Sequence, residues 1–287
     1  MVKLLAEAAP AKINLLLRVV GRRADGYHEL DSVFVPVSLC DEVRIEIRSA
    51  SKLSIELQCD RDDIPKDARN LAWCAAHTFM GELGLCADIR IDLHKQIPAG
   101  AGLGGGSSDA GAVLRMMAAL WHVDDRAAML RLALGLGADV PFFLKLQAAH
   151  VSGIGERIVP LKLSAPLAMV IGIPPIAVST AEAFGALRPE QWSGPAPRDH
   201  LRALAAGQIE PAILQNDLAA VAMERHPEIA RLKSRLESAG AQAASMSGSG
   251  GAVFGIFDEI KSAERACEQL RGQDSETTFY TVKSIAF

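Results

Sequence analysis

Neither sign of charge dominates this 287-residue chain, in which 30 lysines and arginines stand against 34 aspartates and glutamates for a net charge of -4. Nucleic acid or an anionic membrane surface would meet no global basic field, so any phosphate site has to be local. Cysteine is sparse and lacks pattern. The five, Cys40, Cys59, Cys74, Cys86 and Cys267, are odd in number and form no C-x-x-C, which speaks for reduced thiols and against structural zinc. The seven histidines are equally scattered. No apolar stretch reaches the ~20 residues a membrane span needs, and the first apolar run is interrupted by Glu7 and Pro10. Internal repeats and low-complexity tracts are also missing. The expectation is a cytoplasmic protein, a monomer or weak homodimer, that takes a small-molecule substrate and binds neither nucleic acid nor membrane.

Hydrophobic residues are plentiful, at 49% of the chain, enough to build two domains of moderate size. The composition shifts near Ser164-Ala165-Pro166, so the expected division is 1–163 and 164–287. In the first part, Ile13, Leu15, Leu17 and Val19 alternate with Lys12, Asn14, Leu16 and Arg18. A strand there buries the first set and shows Lys12 and Asn14 together on the other face, roughly 6 to 7 Å apart. Asp25-Gly26 then marks a turn. VRIEI (43–47) and LSIEL (53–57) flank RSASK and read as a hairpin. Residues 70–83 have helical period, and ADIRIDLHK (87–95) alternates again. After the boundary come a buried strand (167–173) and a helix opened by the box Ser179-Thr180-Ala181-Glu182. Two helices, a strand near 242–245, the loop MSGSGG, a strand AVFGIF, a helix and a last strand complete an α+β pattern.

Between the strand at 87–95 and a helical stripe through Val113, Leu114 and Met117 lies PAGAGLGGGSSDA, residues 98–110. Gly100, Gly102, Gly104, Gly105 and Gly106 are more than a tight turn requires, and each costs chain entropy that close backbone approach would offset. The run contains G-x-G-x-x-G, but a second helix follows instead of a strand, and no acidic residue ~20 positions on stands ready for a ribose. It also has the Walker A spacing, with Gly106-Ser107 where Lys-[ST] belongs. What the residues themselves suit is a polyphosphate. Backbone N–H groups freed of side chains converge beside a helix N-terminus, for which Ser107, Ser108 and Asp109 are the N-cap candidates.

P-x-x-x-G-L-G-G-G-S-S-D-A resembles the phosphate loop of the GHMP kinases, the superfamily of galactokinase, homoserine kinase and mevalonate kinase. Two further signatures stand in order, PAKINLLLRVVGRRADGYHEL (10–30) and SMSGSGGAVFGIF (245–257). The first is most similar to the branch whose acceptor is a cytidine diphosphate-linked methylerythritol in non-mevalonate isoprenoid synthesis. The resemblance implies an N-terminal domain like domain 2 of ribosomal protein S5, a C-terminal ferredoxin-like domain, and ATP and Mg²⁺ as co-substrate and metal. It implies ATP binding through Pro98, Ala99, Gly100, Ala101, Gly102, Leu103, Gly104, Gly105, Gly106, Ser107 and Ser108. Asp109 stands where many members have asparagine; both residues cap helices, so little consequence is expected.

The candidate residues have structural as well as chemical readings. Asp139, in LGADVPFF, is either a proton acceptor tuned by burial and a nearby cation or the cap of a short helical turn. Lys12 is either that cation or an exposed lysine on a strand. The resemblance moves both towards catalysis. Asn14 is placed to bond a substrate hydroxyl or phosphate, Tyr27 offers a flat face to a pyrimidine, and His28 a donor and an acceptor to its edge. The resemblance adds Phe184, stacking from the opposite side, with Thr180 nearby, although Thr180 competes with Ser179 as a helix cap. Lys95 and Asn70 are expected near the nucleoside, Glu156 is a candidate for indirect metal contact, and the metal ligands stay open, with Ser108 or nucleotide and water in view. Other readings within reach are a kinase of the homoserine or mevalonate type and a non-catalytic nucleotide-binding regulator.

Overall fold

Two long strands begin the chain, β1 (Val2–Arg22) and β2 (His28–Ser49), and they pair with each other. In the computed structural model, which describes residues 2–285, each supplies residues to both of two compact units. The first unit comprises Met1–Ala11, Leu39–Ala99 and Gly104–Leu146, and the second Lys12–Ser38, Gly100–Leu103 and Gln147–Phe287.

The first unit adds β3 (Ser54–Cys59), α1 (Leu71–Leu83), β4 (Ala87–His94), α2 (Gly105–Trp121) and α3 (Arg126–Leu136). Here the hairpin expected from VRIEI and LSIEL does not form. Val43–Ile47 pairs antiparallel with β4, and β3 pairs parallel with β4 on its other side. All three segments alternate apolar and polar residues, so period alone cannot say which two are neighbours. The helices cover the sheet, burying Ile45, Ile89 and Ile91 against Phe79, Met80, Val113 and Met117. Asn70 caps α1 by accepting from the Ala72 N–H. A 3₁₀ turn, Val140–Leu144, closes the unit.

The second unit continues with β5 (Ala149–Gly153), β6 (Arg157–Pro160), β7 (Ala168–Ile173), α4 (Thr180–Ala186), α5 (Arg198–Ala205), α6 (Ala219–Arg225), α7 (Pro227–Ser238), β8 (Ala243–Met246), β9 (Val253–Phe257), α8 (Ile260–Gln273) and β10 (Thr278–Lys283). β5 pairs antiparallel with β2 and β6. The four strands β10-β7-β9-β8 form an antiparallel sheet whose inner face packs on Leu232, Leu236, Ala263 and Leu270 of two helices. Helix α5 starts at the end of the proline-rich stretch 188–199, where no helix is expected from sequence. No helix among the described residues is long and apolar enough to cross a membrane.

Candidate active site

Both faces of β1 are covered between Ala9 and Leu17, so the second face is not the exposed one that alternation suggests. Lys12 is only 3% exposed and Asn14 2%, which overturns the exposed-lysine reading. A buried ammonium needs compensation. Lys12 Nζ donates to Asn14 Oδ1 at 2.7 Å and stands 4.9 Å from the centre of the Phe34 ring, a distance at which the ring face attracts a cation. Asn14 Nδ2 donates in turn to Ser32 Oγ at 3.1 Å, so the amide is held with its oxygen towards the lysine.

The same unit brings the middle of the glycine run to this pair. The Lys12 N–H donates to the Leu103 carbonyl at 2.9 Å, and the Ala252 N–H to the Ala101 carbonyl at 3.0 Å. Between β8 and β9 the SGSGG hairpin loop lies directly on residues 100–103. A Cβ built on Gly102, whose φ is +79°, would stand 2.5 Å from the Ser247 carbonyl oxygen and 2.9 Å from that of Gly250. Only glycine fits such a left-handed position under backbone on both sides. Gly248 faces the same group less tightly: its Cβ would lie 3.0 Å from the Gly102 carbonyl oxygen and 3.4 Å from both Asn14 Oδ1 and Lys12 Nζ. Sequence reading passed over Asn216, whose Nδ2 donates to the carbonyls of Met246 and Gly248 at 2.9 and 2.8 Å and braces that hairpin. An asparagine followed by Asp217 in a non-helical stretch is too common a pair to signal this.

In the first unit the remainder of the loop becomes α2. The helix starts at Gly105 with Gly104, at φ +72°, as its cap. Ser107, Ser108 and Asp109 therefore lie inside the first turns and do not cap it. Ser108 is fully buried and its hydroxyl donates to the Pro10 carbonyl at 2.7 Å; Pro98 and Ala99 lead in, and Gly106 is exposed.

Asp109 has a larger consequence than helix capping. Lys95 Nζ donates to its Oδ2 at 2.5 Å and also to Asp41 Oδ2, and all three side chains are at most 4% exposed. Asp41 Oδ1 accepts from the N–H groups of Gln96 and Ile97 at 2.6 and 2.8 Å, whereas Asp109 Oδ1 is buried with no hydrogen-bond partner. Burial, opposed by Lys95 and reinforced by Asp41, pushes the Asp109 carboxyl up to about 7. Burial pulls Lys95 down, but the two carboxylates outweigh it and its value ends raised. Lys95 and Asn70 thus have structural roles, as salt-bridged cation and as cap of α1.

Asp139 is half-buried at the head of the 3₁₀ turn Val140–Leu144, and its side chain makes no capping bond there. Position, not capping, is what the turn supplies. It is set by α2: a Cβ on Gly111 would come within 2.6 Å of Phe143 Cβ, and Arg115 donates to the Phe143 carbonyl while pairing with Glu7 at 2.7 Å. Gly111 and Arg115 carry no motif that would single them out in sequence.

On the second unit, His28 stacks on Phe184, with ring centroids 5.2 Å apart and planes at 28°. Burial, then the Arg22 charge, lowers the His28 pKa, so the ring is held neutral with one donor and one acceptor. Tyr27 is 60% exposed beside it. Ser179, not Thr180, caps α4, by accepting from the Glu182 N–H at 3.3 Å; the Thr180 hydroxyl meets Ser249 Oγ of the glycine hairpin at 2.7 Å. Glu156 Oε2 accepts from the Ile154 N–H at 2.7 Å and closes its own turn. Among the described residues no three His, Cys, Asp or Glu side chains come together as a metal site.

Comparison with known proteins agrees with these features. Residues 70–145 match the model of the GHMP kinases N terminal domain and residues 201–275 that of the GHMP kinases C terminal. The chain is 38% identical to a 4-diphosphocytidyl-2-C-methyl-D-erythritol kinase of Chlorobaculum parvum over 92% of its length and 93% of that protein's. It is 41% identical to the enzyme of that name from Thermus thermophilus, covering 92% and 91% of the two chains. A crystal structure of a 4-(cytidine 5'-diphospho)-2C-methyl-D-erythritol kinase superposes with a TM-score of 0.82 at 38% identity, over 98% of this chain and 100% of that one. Homoserine kinase from Cytophaga hutchinsonii, at 19% identity and a TM-score of 0.75 over 99% and 95% of the chains, shares the fold.

Proposed function

The chain belongs to the GHMP kinases, and from that premise we propose that it transfers the γ-phosphate of ATP to the 2-hydroxyl of 4-(cytidine 5'-diphospho)-2-C-methyl-D-erythritol, a step of isoprenoid precursor synthesis. Similarity along nearly the whole length to enzymes of that name carries this reading. The proposed division between the two family domains stays at residues 163 and 164, within the stretch 146–200 that neither family match covers.

In the reaction the acceptor oxygen bonds to the γ-phosphorus as the bond to the bridging oxygen of ADP breaks, and the hydroxyl proton leaves. Asp139 is assigned the proton. Lys12, its charge held in place by Asn14, is assigned the negative charge that develops on the transferred group. Residues 98–108 are assigned the nucleotide's phosphates. A helix whose cap is glycine keeps its mouth clear of side chains, and its first N–H groups and dipole favour an anion there. Mg²⁺ would be carried by the nucleotide's own phosphate oxygens and water, as is usual for this ion, and would neutralise phosphate charge. Tyr27, His28, Phe184 and Thr180 are assigned the cytidine end, for which the neutral His28 ring stacked on Phe184 is suited, whereas a small aliphatic acceptor has no base for them to hold.

A coupled ADP-release assay tests the assignment, with the cytidine substrate set against homoserine, mevalonate and galactose. Turnover confined to the cytidine compound is expected. Turnover of one of the others instead would keep the superfamily and reject the substrate.

A further inference from the structure

Beyond α4 the chain makes a 3₁₀ turn, Pro189–Gln191, and then runs without regular structure to α5. This strap is nevertheless tied at almost every residue. Ser193 donates from its N–H and hydroxyl to Asp217, at 3.0 and 2.6 Å, and the Gly194 N–H donates to the Val19 carbonyl at 3.3 Å. Arg18 donates to the carbonyls of Ser193 and Pro195 at 3.0 and 3.2 Å, and the Ala196 N–H donates to Asp31 Oδ2 at 3.2 Å. Asp217 is itself buried, held by the Val19 N–H at 2.8 Å and by Gln215 Nε2 at 2.9 Å.

Trp192 opens the strap. Its indole stands at 87° to the His28 ring, centroids 6.2 Å apart, and packs against the apolar core of the second unit. Its Nε1 is buried with no hydrogen-bond partner, a cost that a phenylalanine in its place would not carry. What the position gains is a ring edge. The Phe184 stack fixes the plane of the imidazole but tolerates its half-turn flip about χ2, which exchanges the ring nitrogens' positions in that plane; the edge contact with a second, perpendicular ring distinguishes the two flips.

We propose that Trp192 is a specificity-determining positioning residue: anchored by the strap, it sets the in-plane orientation of His28 and thereby which ring nitrogen meets the edge of the substrate's pyrimidine. This rests on the reading that His28 contacts the base.

The test is steady-state kinetics of the full-length enzyme and its Trp192→Leu, Trp192→Phe and His28→Ala variants, with the cytidine substrate and its uridine analogue, alongside thermal unfolding. Trp192→Leu is expected to raise the KM for the cytidine substrate ~10-fold and to narrow the preference for cytidine over uridine, as loss of an aligned polar contact does. The KM for ATP and kcat should stay within about 2-fold, and Trp192→Phe should restore most of the preference, neither of which a general loosening of the fold would give. An unchanged preference in Trp192→Leu together with a lost preference in His28→Ala overturns the role of Trp192 and leaves the base contact standing. An unchanged preference in both overturns the two together. Should Trp192→Leu not fold, the emission of Trp192 decides, read in a Trp73→Phe, Trp121→Phe protein: a saturable change on adding cytidine 5'-diphosphate supports the proposal, and none overturns it.

Discussion

Lys12 and Asn14 sit two residues apart on one strand, and the lysine Nζ reaches the asparagine Oδ1 at 2.7 Å with both side chains buried. The strand period brings the two to one face, and burial makes each dependent on the other. Removal of the amide leaves an ammonium in a poorly solvated place. Asn14→Ala is expected to lower kcat by ~10-fold or more and to destabilise the fold by about 1–3 kcal/mol, read by steady-state kinetics and urea unfolding. Asn14→Asp keeps the lysine paired but loses the bond donated to Ser32 and adds a negative charge beside the assigned phosphate site, so it should lose some stability while its KM for both phosphorylated substrates rises.

Asp139 carries the assigned proton transfer. Asp139→Asn keeps the shape of the half-buried side chain and removes its basicity. Turnover is expected to fall ~10²-fold or more, within the range for acid–base catalysis, with the ATP dissociation constant unchanged in equilibrium binding. Full turnover in this variant would assign the protein to nucleotide-dependent chemistry without a carboxylate base.

Gly102 has backbone carbonyl oxygens where a side chain would begin, at 2.5 and 2.9 Å from the position of a Cβ. Neither can move as a side-chain tip would, and φ at +79° adds strain. Gly102→Ala should cost roughly 2 kcal/mol or more in urea unfolding and raise the KM for ATP. Gly26→Ala, also at positive φ but in open space, is the control and should lose stability without that rise.

Asp109 makes stability depend on pH. Its carboxyl is raised from 3.8 to about 7 in the folded protein, so between those values the native state holds a proton that the unfolded chain has released. Stability then falls as pH rises through this window and levels off above it. Asp109→Asn removes the titration. The variant is expected to show a flatter profile between pH 4 and 7 and a higher unfolding midpoint than the parent at pH 8, measured by urea titration at each pH.

Gly111 and Arg115 hold the turn that Asp139 heads. Gly111→Ala is expected to displace Phe143 and lower kcat ~10-fold while the KM for ATP stays near the parent value, a misplacement effect on the reacting geometry.

Period and capping chemistry were enough to read most elements. Asn70 opens α1, Ser179 opens α4, the strand at 87–94 follows its alternation, and the strand at 168–173 follows its unbroken apolar run. The hairpin proposed for 43–57 failed because alternation tells which side chains share a face and is silent on which strand lies next; β4 takes the place between. The caps proposed at Ser107 and Ser108 failed because a left-handed glycine can start a helix as well as a hydroxyl can.

Local sequence by itself determined the chemistry on offer: glycine where backbone must come close, a lysine and an asparagine on one strand face, a histidine after a turn, and motifs specific enough to place the chain in its family. Tertiary structure alone decided the environments. Whether Lys12 is exposed depends on what covers the second face of its strand, and whether Asp109 is a helix cap or one arm of a buried ion triad depends on Asp41 arriving from β2 and Lys95 from just past β4. Dielectric and charge pairing are properties of surroundings assembled from distant parts of the chain, so no local pattern encodes them.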